Sequence, residues 1–230
     1  MKTYAVLLFV LILVVMVVGC TTLPSTQTAI STPLATQAPT STSPATQAPT
    51  NTPVATLPVV TPCALSPIVV PTRPAITPGY AELDPATGLH ITGNAPNVDL
   101  ASYHLNVIGN VDRPLSLTYD DLRCMPKITL RCTLTCPGYF QDEATWSGAS
   151  LNYVLALARA RPEAMGIELV SADGYSMALP LDFARSENGF LAYEWEGQPL
   201  PILHGFPVRA VLPASSGGYW VKWLTEIDVH

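Results

Sequence analysis

Residues 130–140, LRCTLTCPGYF, place a thiol where it can do chemistry. An apolar stretch with strand character runs into Pro137, which cannot donate a ladder hydrogen bond, and Gly138, which permits positive φ, so the strand stops and Cys136 stands at its end. Three chemistries are open to that sulfur: a metal thiolate, a disulfide partner, or an inert buried cysteine. Cys132 and Cys136 share one strand face, but their Cα atoms would lie about 13 Å apart, beyond disulfide reach. A Cys124–Cys132 bridge is geometrically open and would leave Cys136 free. Cys63 reads as a free or adventitiously paired thiol. No paired CxxC spacing suggests a four-ligand zinc site.

A second group of candidates lies in residues 204–223, HGFPVRAVLPASSGGYWVKW. Arg209 and Lys222 flank apolar strands. An Arg fork suits a phosphate bidentately, Lys adds a point charge, and the backbone amides of Trp220, Val221 and Lys222 could complete an anion nest. The competing reading of either cation is a surface charge. His204, five residues before Arg209, is either a ligand contact or a turn cap. Asp173, in the Asp-Gly-Tyr at 173–175, serves its own turn at least as readily as a ligand. Trp146, Trp220 and Trp223 read as core and pocket walls.

These segments, in this order, resemble the molybdopterin-binding domain of the sulfite oxidase superfamily. The resemblance runs from about Tyr103 to the C-terminus and includes YHLNVIGNVDRPLSLTYDDL at 103–122, WSGASL at 146–151 and LAYEWEGQPLP at 191–201. It implies an α+β, strand-rich mixed-sheet domain with two or three short helices. It also implies molybdenum-molybdopterin as cofactor, Cys136 as metal ligand and catalytic residue, and Asp173, His204, Arg209, Trp220, Val221 and Lys222 as pterin contacts. The activity it implies is a two-electron oxidoreduction that passes an oxygen atom to or from a small substrate. No CxxCH haem site is present, so an external electron-transfer partner is expected. With the VKW segment close to residue 230, the further domain that sulfite oxidases use in dimerisation is not expected here, and no arginine cluster for sulfite is evident. Tyr139 and Tyr175 are candidates for the substrate side. The alternative is a cofactor-free interaction module on the same fold.

The elements that must position these residues occupy only part of the chain. No Lys, Arg, Asp or Glu lies between Lys2 and Arg73, and the residues from Arg73 onward carry a net charge of about −7, which argues against a nucleic-acid partner. Residues 1–20 carry one positive charge, an apolar run at 4–18 and VVGC at 17–20, the pattern of an export signal with a bacterial lipobox that leaves Cys20 lipidated. The expected location is therefore extracytoplasmic, with the chain anchored to the cell membrane as a lipoprotein. Residues 21–78 are rich in Thr, Pro, Ser and Ala, with ATQAPT repeated at 35–40 and 45–50, and read as a disordered stalk. Residues 79–230 are left for one domain.

Within that domain, alternation predicts a strand over 103–108 and a turn at 109–114. Thr118 with Asp121 three positions on predicts a capped short helix that stops at Pro126. Leu151, Val154, Leu155 and Ala158 mark one helix face, ended by Pro162. Strands are expected at 167–171 and 175–179 around Asp173-Gly174, and 190–194 should pair with the residues after Gly197. Segments 208–212 and 220–229 should close the sheet.

Overall fold

The computed structural model describes residues 63–230 apart from Glu187 and Ala214. The signal segment, Cys20 and residues 21–62 of the expected stalk lie outside the described residues.

The local signals form the elements they predict. Thr118 caps α1 (Tyr119–Arg123) with a reciprocal box: its side chain accepts from Asp121 N–H, and the Asp121 carboxylate accepts from Thr118 N–H. Ser150 caps α2 (Leu151–Ala158), whose Leu151, Val154, Leu155 and Ala158 are all buried, one face at helical spacing. That helix ends three residues earlier than Pro162 requires, because Arg159 takes the left-handed C-cap at φ 55°. A third, short helix α3 spans Leu181–Ala184.

Among the described residues, ten strands form two five-stranded sheets, rather than the single closing sheet the pattern suggests. In the first, β2 (Leu115–Leu117), β1 (Leu105–Gly109), β10 (Leu224–Val229), β5 (Gly166–Ser171) and β6 (Ser176–Pro180) lie in that order. Only the β1–β10 pair in it is parallel. The second runs β3 (Lys127–Cys136), β4 (Phe140–Ser150), β7 (Phe190–Trp195), β8 (Gln198–Pro199), with β9 (Arg209–Val211) also paired to β7. The expected strand-rich mixed architecture with few helices is thus present. Segments 208–212 and 220–229 join different sheets. At the start of the second, residues 220–223 are buried but not strand, with Trp223 at φ 49°, a conformation no ladder accommodates. Both sheets feed one hydrophobic cluster, Leu105, Val107 and Ile227 from the first and Trp146, Leu191 and Ala192 from the second.

The cysteine pairing corrects two expectations. Cys63 bonds to Cys124, with Cα atoms 5.7 Å apart, while Cys132 and Cys136 are free. Cys132 cannot serve Cys124 from the middle of β3, where it lies opposite Ala144 with its side chain packed against the core. Residues 63–78, assigned to the stalk on composition, are held against the domain: besides the disulfide, Arg123 donates to Ser66 O at 2.7 Å and Arg73 to Ala95 O at 2.7 Å.

A bridge spanning 61 residues restricts the unfolded chain strongly. Cys63→Ser is therefore expected to lower unfolding free energy by about 2–4 kcal/mol. Urea titrations with and without reductant check this. Superimposable curves for the reduced, oxidised and Cys63→Ser proteins would show that the bridge carries no stability.

Candidate cofactor site

The β3–β4 hairpin turns through Pro137 and Gly138, the latter at φ 80°, and Tyr139 N–H donates to Cys136 O at 3.0 Å. Cys136 is thereby fixed opposite Phe140 as the last residue of β3, half-buried, on the wall of a cavity of about 220 Å³. Cys132 is on the same strand face but outside this wall, and burial pushes its thiol up to about 11. Of the two free thiols among the described residues, Cys136 is the one presented to the cavity.

All the other expected contacts, Asp173, His204, Arg209, Trp220, Val221 and Lys222, line the same cavity. Arg209 and Lys222 are not the surface charges of the competing reading: they are 3% and 9% exposed. Neither has an ion-pair partner among the described residues. Arg209 donates to His204 O and Trp220 O, both at 3.1 Å, lies 4.8 Å from the centre of the Trp146 ring, and keeps its buried Nε without an acceptor. Lys222 donates to Thr92 O and to Leu203 O and sits 4.4 Å over the Trp223 ring. Desolvation pushes Arg209 down to about 9, and desolvation together with the nearby Arg209 charge pushes Lys222 down to about 7. The two stems converge because residue 205 is Gly: at φ 114° it packs where a Cβ would lie 2.9 Å from Arg209 Cβ and 3.3 Å from Lys222 Cβ.

The remaining expectations divide. His204 Nε2 lies 3.0 Å from Asp84 Oδ2 and 2.9 Å from Thr87 Oγ1, so it is a buried strut as well as part of the wall. Burial holds its ring down to about 4 against the pull of Asp84. Burial opposes ionisation of Asp84 too, but hydrogen bonds from Ala86 N–H, His204 and Thr87 hold its carboxyl below the usual range. A neutral His204 therefore donates to an ionised Asp84. Asp173 stabilises its own turn by accepting from Tyr175 N–H at 3.1 Å and also faces the cavity. The amide nest is smaller than expected, since Trp220 N–H donates to Gly217 O at 3.1 Å. The amides of Val221 and Lys222 make no hydrogen bond among the described residues. Tyr175 lines the cavity, whereas Tyr139 reaches only Tyr80 at its rim, by an edge contact at 6.2 Å.

Several wall residues escaped the sequence reading. His90 and Thr92, and Asp84 and Thr87 that stand behind His204, come from a segment before the strand-rich pattern begins. Asp142 had a signal: it follows Phe140 and precedes Ala144 and Trp146 on the inward face of β4, a carboxylate in an apolar row. His90 Nδ1 meets it at 2.6 Å, and the His90 ring stacks on Phe140 at 4.3 Å.

This donor set fits an organic anion. Two buried cations lack ion-pair partners, two amides lack acceptors, and the buried donors Arg209 Nε and Trp146 Nε1 are unpaired among the described residues. Those residues form no cluster of three or more His, Cys, Asp or Glu able to hold a metal alone, so Cys136 suits a metal that arrives with its own organic ligand.

Comparison with known proteins agrees. The profile of the oxidoreductase molybdopterin binding domain family matches residues 92–230, about ten residues earlier than the resemblance begins in the sequence reading. The chain is 36% identical over 187 residues to mitochondrial sulfite oxidase of Mus musculus, covering 67% of this chain and 34% of that protein. It is 32% identical over 170 residues to the NADH nitrate reductase of Ulva prolifera, covering 60% and 20%. It is also 32% identical over 139 residues to an uncharacterized oxidoreductase, YuiH, of Bacillus subtilis strain 168, covering 60% and 70%. The crystal structure of the sulfane dehydrogenase SoxCD from Paracoccus pantotrophus aligns with a TM-score of 0.56 at 26% identity, over 59% of this chain and 40% of that one. The chain thus spans a fifth to a third of the length of the nitrate reductase and sulfite oxidase it matches.

The depressed Lys222 value sets a pH dependence. Between its folded value of about 7 and its ordinary 10.5, the unfolded chain binds more protons than the folded one, so stability rises with pH across that window. The cofactor-free domain is expected to gain about 2 kcal/mol between pH 7 and pH 9. Lys222→Met should lose that gain, as measured by urea unfolding at the two pH values. An equal gain in both proteins would place the effect elsewhere.

Proposed function

We propose that this chain, which belongs to the oxidoreductase molybdopterin-binding domain family, is a molybdenum-cofactor-dependent oxidoreductase of the sulfite oxidase type. We place it outside the cytoplasm, acting on a small substrate. One observation carries the reading: a strand-end thiol and two buried cations without ion pairs among the described residues open onto one cavity. Arg209 and Lys222, with the amides of Val221 and Lys222, would hold the phosphate end of the cofactor. Trp220 and Asp173 would bound the pterin, and His204, kept neutral by burial and oriented by Asp84, would brace the turn that carries Gly205. Cys136 would supply the protein thiolate to the metal. When bound, the cofactor would contribute a two-electron change coupled to passage of an oxygen atom to or from the substrate, while the chain supplies orientation, electrostatics and exclusion of water. An electron-transfer partner outside this chain completes the reaction.

The apolar run at 4–18 and the VVGC at 17–20 support export and lipid attachment at Cys20. The Cys63–Cys124 bridge supports an oxidising compartment. On this reading residues up to 62 form a tether between the membrane and the domain.

Metal analysis of protein purified from its native host tests the assignment. About one molybdenum per chain is expected, because the family's chemistry resides in the cofactor. In Cys136→Ser the metal should lose one sulfur neighbour by X-ray absorption and turnover should vanish, with Cys132→Ser normal in both. Loss in Cys132→Ser alone would move the ligand to that residue. Folded wild-type protein without molybdenum would instead mark an interaction module on the same fold.

A further inference from the structure

Residues 63–97 wall one side of the cavity without belonging to either sheet, and Tyr80, Leu89, His90, Thr92 and Gly93 are its lining there. Part of this stretch folds on itself: Ala81 N–H donates to Ile91 O at 2.7 Å and Ile91 N–H to Glu82 O at 2.9 Å. Among the described residues, none of 63–97 makes a backbone–backbone hydrogen bond with residues 103–230. Side chains make the polar attachments instead. Asp84 and Thr87 reach His204, Asp142 accepts from His90 N–H at 2.8 Å and meets its ring, and Lys222 donates to Thr92 O. Leu89 and Ile91 add apolar burial. Lifting the stretch away costs those contacts but breaks no ladder, the mark of a unit that opens below the global unfolding free energy. Its upstream end is held covalently by the Cys63–Cys124 bridge, beside which Arg123 donates to Ser66 O. Cys63 is exposed, so a dithiol in solution reaches the bridge.

Resting on the cofactor reading above, we propose that residues 63–97 are a strap over the cofactor cavity and that the Cys63–Cys124 bridge is its redox latch. With the bridge closed, both ends of the strap are tied to the domain, and its lifted state is a constrained loop. With the bridge open, the strap is a tail fixed at one end, and its lifted state gains the conformational freedom that the bridge withheld. Reduction passes two electrons and two protons from a dithiol to the S–S bond, leaving two thiols on the chain and a disulfide on the reductant. Oxidation by a disulfide carrier reverses each transfer. In a reducing compartment the strap opens more often and admits the cofactor, and in an oxidising one the latched strap retains it.

Hydrogen exchange reads the strap directly in three forms of the full chain from its native host: bridged, reduced with dithiothreitol, and Cys63→Ser/Cys124→Ser. The peptide carrying the His90 amide, which donates to Asp142, should exchange about tenfold faster in both unbridged forms, while peptides from β4 and β7 stay slower than it in all three. Molybdopterin should also leave both unbridged forms about tenfold faster than the bridged protein during dialysis. Strap exchange that is unchanged, or that rises only in step with β4 and β7, overturns the latch. Equal molybdopterin release with and without the bridge overturns it too. Protein that carries no molybdenum overturns the cofactor reading, and the exchange comparison alone then decides the latch.

Discussion

Two positive charges buried without carboxylate partners are the constraint around which this domain is built. Removing an ion from water costs several kcal/mol even after relaxation, and a protein offsets that with a counter-ion, a full set of hydrogen bonds, or a ligand. Arg209 has two carbonyl acceptors and an aromatic face but an unpaired Nε, and Lys222 has two carbonyl acceptors and a ring. Each is partly satisfied as a donor, and as a charge each feels a carboxylate only through space, Asp142 for Arg209 and Asp173 for Lys222, without an ion pair among the described residues. The lowered proton affinities of both groups express the same imbalance. A bound phosphate removes it, so the folded domain without cofactor holds electrostatic strain that binding relieves.

The surrounding architecture keeps those charges in place. β9 carries Arg209 on the edge of β7, and the buried segment before β10 carries Lys222, so the two sheets each deliver one cation. Gly205 lets their stems approach. His204 anchors the same turn to Asp84, and Thr92 O accepts from Lys222, so residues 84–92 close the cavity from a direction neither sheet supplies. The Cys63–Cys124 bridge ties the chain upstream of that segment, at residue 63, to the end of α1. The β3–β4 hairpin then brings Cys136 to the cavity from the second sheet. Through these contacts the cavity wall and the N-terminal segment are packed as one unit.

The parts of this arrangement written in local chemistry were legible in the sequence. Pro137-Gly138 ends β3 where Cys136 stands, Thr118 and Asp121 form their capping box, and Asp173-Gly174 turns between β5 and β6. What depends on distant contacts was not. Cys63 finds Cys124 across 61 residues, a pairing that composition hides because its neighbours are those of a spacer. The division into two sheets is decided at residues 220–223, where tryptophan burial and a positive φ at Trp223 override strand propensity. Asp142 broke the apolar alternation of its strand, and a break of that kind marks a wall residue even when its partner, His90, lies 52 positions away.

Removing a charge while keeping its volume tests the central claim most directly. With Arg209→Met, unfolding free energy is measured on the cofactor-free domain, and molybdopterin retention on protein from the native host. If the guanidinium awaits an anion, the substitution leaves the cofactor-free domain within about 1 kcal/mol of wild type, or more stable, and abolishes retention. If instead the cofactor-free domain loses several kcal/mol and the protein that still folds retains its cofactor, Arg209 is a structural strut and the account is wrong.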